Sequence, residues 1–121
     1  MKTFKIFQIN FTDAEVDVIN SNGASGKYVL RMKIEMAYGK PVDHLVKEAF
    51  AKGYYEHVSN ITADNLDGAF RVGNIGPEEN IERFAPMHSV SVGDVVMDED
   101  GMYHMVASFG FEPVDLSEEA A

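Results

Sequence analysis

Residues 4 to 11 alternate along an extended chain. Phe4, Ile6 and Gln8 fall on one side, and Lys5, Phe7, Ile9 and Phe11 on the other. Successive strand side chains point to opposite faces, so apolar groups on both sides predict a central or well-covered strand. Thr12-Asp13-Ala14-Glu15 then has the form of a capping box, with Thr12 at the N-cap and Glu15 three residues on. Ala14, Val18 and Ile19 follow at helical spacing, and Asn22-Gly23 suits a helix end, so Asp13 to Ser21 is expected to be a short helix. Tyr28, Leu30, Met32, Ile34 and Met36 alternate with Arg31, Lys33 and Glu35. Strict period two predicts a strand with one wet face, with a helix as the alternative.

Pro41 suits the first turn of a helix that buries Leu45, Val46, Ala49 and Phe50 and stops at Gly53. Tyr54 to Ile61 is a second strand. Thr62 is the candidate cap of a helix over residues 64–72 buried through Leu66, Ala69 and Phe70. Pro77-Glu78-Glu79 predicts a further short helix that buries Ile81 and Phe84. Residues 90–97 and 102–108 then flank Asp98-Glu99-Asp100-Gly101, a type I turn with Gly101 in the left-handed position, and form a hairpin. Gly93 marks a bend and Gly110 another kink. The pattern is α+β: a single small domain over residues 1–114, a mixed or antiparallel sheet with short helices and a C-terminal hairpin, and an acidic disordered tail over 115–121.

Composition narrows the chemistry. The 121 residues are 45% hydrophobic, enough for a core. There is no cysteine, which excludes disulfides, zinc thiolates and thiol nucleophiles. No apolar run approaches the roughly 20 residues of a membrane helix, and Met1 to Lys5 is not a signal core, so an intracellular protein with no membrane partner is expected. The net charge is −10. Residues 1–83 hold all ten Lys and Arg against twelve acids, whereas residues 84–121 hold eight acids and no Lys or Arg. Such a negative half repels phosphate backbones, so nucleic acid is not an expected partner. It suits either a solvated face or a docking surface for a basic protein.

No catalytic pattern emerges. His44, His57, His88 and His104 share no ligand spacing, so no metal and no other cofactor is expected. Ser89, Ser91 and Ser108 lack a nucleophile elbow. Asp94 is most simply a turn residue whose carboxylate accepts local N–H bonds. Tyr54, Tyr55 and Tyr103 read as aromatics packed on the sheet. Six of the seven methionines, Met87, Met102 and Met105 among them, serve as core filler or as adaptable surface contacts.

Residues 87–111 carry Ser89-Val90-Ser91-Val92-Gly93-Asp94-Val95-Val96, a hairpin, then Tyr103, Ser108, Gly110 and Phe111. This segment resembles the YodL-like family, found in bacteria, mobile elements and phages. His104-Met105-Val106 departs from that family's second strand. Residues 1–85 are similar, more loosely, to small phage proteins. The resemblance implies a non-enzymatic accessory protein of a phage or mobile element, acting on a host protein in the bacterial cytoplasm. Asp94, Asp98, Glu99, Asp100, Tyr103, Phe109 and Phe111 form the candidate partner surface, with a homodimer left open. The alternatives are an acidic DNA mimic, or a binder of a nucleotide signal whose phosphates would need Lys27, Arg31, Lys33, Arg71 and Arg83.

Overall fold

In the computed structural model, residues 1–22, 26–37, 42–107 and 110–116 are described. The elements run β1 Lys2–Ile9, α1 Asp13–Asn22, α2 Gly26–Glu35, α3 Asp43–Ala51, β2 Tyr55–Ala63, α4 Leu66–Ile75, a 3₁₀ turn at Glu78–Asn80, β3 Ile81–Arg83, β4 Val95–Met97, β5 Tyr103–Val106 and β6 Phe111–Pro113. The six strands form one antiparallel sheet in the order β3-β2-β1-β4-β5-β6.

β1 is central and covered on both faces, because its alternation supplies apolar groups to each. Phe4 and Ile6 join Ile61, Val96, Val106 and the α4 residues Ala69 and Val72 in one core. Ile9 joins Val95, Met105, Leu30 and Ile34 of α2, and Val46 and Ala49 of α3, in the other. The β1–β2 register shifts between Ile6, paired with Ser59, and Phe7, paired with His57, leaving Val58 as the extra residue of a bulge.

The capping box forms as the sequence predicts: Thr12 N–H donates to Glu15 Oε1 (2.9 Å) and Glu15 N–H to Thr12 Oγ1 (3.1 Å). Residues 28–36, expected to be a strand, fall almost wholly within the helix Gly26–Glu35. Leu30 and Ile34 lie four apart, a spacing that period two and a helical stripe share, and these two are the buried pair. Arg31 pairs with Glu35 one turn on, and Arg, Met, Lys, Leu and Glu are good helix formers. Asn65, not Thr62, caps α4, because Thr62 continues β2; the Asn65 side chain accepts from Gly68 N–H (2.8 Å). Phe70 of α4 is exposed rather than buried.

The helix expected after Pro77 is only the 3₁₀ turn. Ile81 then starts an edge strand and Phe84 is 54% exposed. The hairpin forms about Gly101, whose φ is 81°, but its first strand is only Val95–Met97. Gly93, at φ 90°, breaks the run before it. A Cβ there would lie 2.2 Å from Ile34 Cγ2, so only glycine fits. Beyond Gly110 the chain adds β6, and Val114 and Leu116 are buried in the α2–α3 core. The packed chain therefore extends to Leu116, two residues past the expected end of the domain at Val114; residues 117–121 lie outside the described residues.

Candidate functional site

Residues 86–94 lie over the end of β1 and are held there by one fully buried side chain. Gln8 Nε2 donates to the His88 carbonyl (2.9 Å) and to Asp94 Oδ2 (3.1 Å), while Gln8 Oε1 accepts from His88 N–H (3.2 Å). The amide thus mimics a strand neighbour for His88. Ser91 N–H adds a second donor to Asp94 Oδ2 (2.9 Å), and the Tyr55 hydroxyl donates to the Gly93 carbonyl. Asp94 is only 4% exposed, so it is a turn residue of the interior and is removed from the partner surface.

Burial is the largest influence on the Asp94 carboxyl and pushes its pKa up to about 7, against the pull of Ser91 N–H, Gln8 and Arg31. Burial likewise lowers the His88 imidazole, opposed by the carbonyls of Ser89 and Ile9, and raises the Tyr55 phenol. His88 Nδ1 lies 4.0 Å from Asp94 Oδ2, where burial works against charge on both groups. His88 Nε2 is shielded from solvent without a well-formed hydrogen bond.

A second constellation surrounds the hairpin tip. The Asp98 carboxylate is occupied: Oδ1 accepts Asp100 N–H and Met102 N–H (2.9 Å each), and Oδ2 lies 2.9 Å from His104 Nε2. Desolvation raises its pKa, but His104 and the two N–H groups outweigh that and hold it below its ordinary value. Glu99 and Asp100 are exposed. They border a cleft of about 550 Å³ together with Asp67 of α4, Lys2 of β1 and the apolar Phe4, Leu66 and Phe111, so that carboxylates outnumber the one Lys. Phe111 packs edge-on against Phe70 (6.3 Å). Tyr103 is instead wedged between Phe7 and Phe50 on the other side of the sheet, and Phe109 lies outside the described residues. Sequence reasoning missed Asp67, which lies 32 positions from Glu99; its place in the first turn of a helix was the only signal.

The five cations of the nucleotide alternative do not converge. Lys27 pairs with Glu15, Arg31 with Glu35, and Arg83 with Glu78, while Lys27, Lys33 and Arg71 border three different clefts. Among the described residues no three His, Asp or Glu side chains are grouped to hold a metal, and no helix is long and apolar enough to cross a membrane. No family model matches the chain, and no curated protein or solved structure does either.

Proposed function

We propose that this protein is a non-enzymatic binding module that docks on a basic surface of a partner protein through the hairpin-tip cleft. The observation that carries the reading is that Asp67, Glu99 and Asp100 line one cleft with the apolar Leu66 and Phe111, against a single Lys or Arg, Lys2. A Lys or Arg side chain laid there meets carboxylates at its head and apolar surface along its stem. Exposed pairs are worth roughly 0–1 kcal/mol each, so the cluster steers association more than it holds the complex. The resemblance of residues 87–111 to the YodL-like family supports reading the partner as a bacterial host protein, met in the host cytoplasm by a phage or mobile-element accessory factor.

Pull-down from host lysate followed by mass spectrometry supplies the partner. The combined Asp67→Asn, Glu99→Gln and Asp100→Asn variant then tests the surface. Asp98 is left intact because it holds the turn. The on-rate is expected to fall about tenfold at low salt, with a flatter salt dependence. Equal rates and equal salt slopes would return the tip to a solvated turn.

A further inference from the structure

A separate cleft of about 700 Å³ lies where the end of β1, the start of β2 and the Pro86–His88 segment meet. Three of its hydrogen-bond donors are spent within the protein, and the Tyr54 hydroxyl, which can either donate or accept, is left over. Asn10 Nδ2 donates to the Pro86 carbonyl (2.6 Å), Lys27 Nζ to Glu15 (3.1 Å), and the Tyr55 hydroxyl to Gly93. Its acceptors are open: Asn10 Oδ1, the exposed Glu56 carboxylate and the Tyr54 hydroxyl oxygen have no partner among the described residues. Phe11 and Tyr54 supply π faces, and the chain already seats a cation on one of them, with Lys27 Nζ 5.1 Å from the Phe11 ring centre. The local charge is Glu15 and Glu56 against Lys27, one negative in excess.

The start of α1 also borders this cleft, and a helix N-terminus attracts anions. Here the capping box between Thr12 and Glu15 occupies those groups. The open carboxylate of Glu56, the amide oxygen of Asn10, the aromatic walls and the negative balance together favour one kind of ligand. We propose that this cleft binds an organic cation, an alkylammonium or guanidinium group presented to Asn10, Tyr54 and Glu56. A free polyamine and a basic side chain of a protein share this chemistry. The site shares no residue with the hairpin-tip surface, so either proposal stands if the other fails.

The test is an amide-resonance NMR titration of the whole chain with spermidine, with N-acetyl-arginine amide, and with inorganic phosphate as the opposing probe. At least one cation is expected to shift the resonances of Asn10, Tyr54 and Glu56 saturably. Glu56→Gln should weaken that binding about tenfold. Tyr54→Leu, which keeps bulk but removes the π face, should weaken it about threefold. Glu99→Gln with Asp100→Asn should leave it unchanged. Tighter binding of spermidine assigns the site to a free polyamine; tighter binding of the arginine amide assigns it to a partner's side chain. Unsaturable shifts spread over all the acidic residues, indifference to Glu56→Gln, or a response to phosphate alone would each overturn the proposal.

Discussion

Asp94 and Asp98 do the same local work four residues apart. Each carboxylate ties down a tight turn by accepting backbone N–H groups, from Ser91 in one case and from Asp100 and Met102 in the other. Their acidities nevertheless move in opposite directions. Asp94 lies under the 86–94 segment beside Gln8, and loss of water outweighs its hydrogen bonds. Asp98 sits at a wet tip with His104 alongside, and its hydrogen bonds win. A motif that fixes a turn therefore does not fix the charge of the residue that makes it; the solvent around the carboxylate does.

The sharpest way to break this contrast is the pH dependence of stability. A carboxyl moved from 3.8 to about 7 carries up to about 4 kcal/mol. The folded pKa lies above the unfolded one, so the folded state keeps the proton longer. Stability from this group is therefore greatest below about pH 4, falls as pH rises towards 7 and is level above it. Asp94→Asn should remove that fall, and urea midpoints of the variant and wild type should diverge from pH 4 to pH 8 in the variant's favour. Parallel curves would show that Asp94 ionises as freely as a surface acid.

Gln8→Ala is expected to cost about 3 kcal/mol, because it strands the His88 backbone groups and removes a donor from Asp94 in a dry site. Chemical denaturation at pH 7 measures it. A loss below 1 kcal/mol would mean that water replaces the amide and that the site is wetter than its burial indicates. Asp98→Ala should cost only about 1 kcal/mol at pH 7, the usual worth of a turn-capping side chain. Its sign with pH is the reverse of Asp94's. The folded pKa is depressed, so the contribution is present above about pH 4 and lost as pH falls below it. A cost that persists at pH 2 would place the interaction in the turn geometry instead of the charge.

Local chemistry was legible in the sequence wherever both partners were near neighbours. The capping box, Gly101 in its turn and Asp94 as an acceptor for a nearby N–H all follow from residues within four positions of each other. What could not be read was anything set by distant chain. The burial of Asp94 depends on Gln8, 86 residues away. The acidic cleft depends on Asp67 lining the same cleft as Glu99, 32 positions away. The misreading of residues 28–36 has another cause: Leu30 and Ile34 fit both periods, and only the occupied sheet beside them decides. Leu116 was lost to the tail because one apolar residue among acids carries no periodicity, although the core it enters lies directly below.

The pairing of β1 with both β2 and β4 bears on how the chain reaches this state. Lys5 meets Asn60 on one side and Met97 on the other. The middle of the sheet is thus assembled from segments far apart, and loop closure must precede most of the stabilising contacts. Such topologies fold slowly among domains of their size. Until β4 arrives, one edge of β1, a strand that carries apolar groups on both faces, stands open to other chains. Crowded expression at high temperature should therefore favour inclusion bodies over soluble protein, with the hazard residing in a strand that is among the best protected once folding is done.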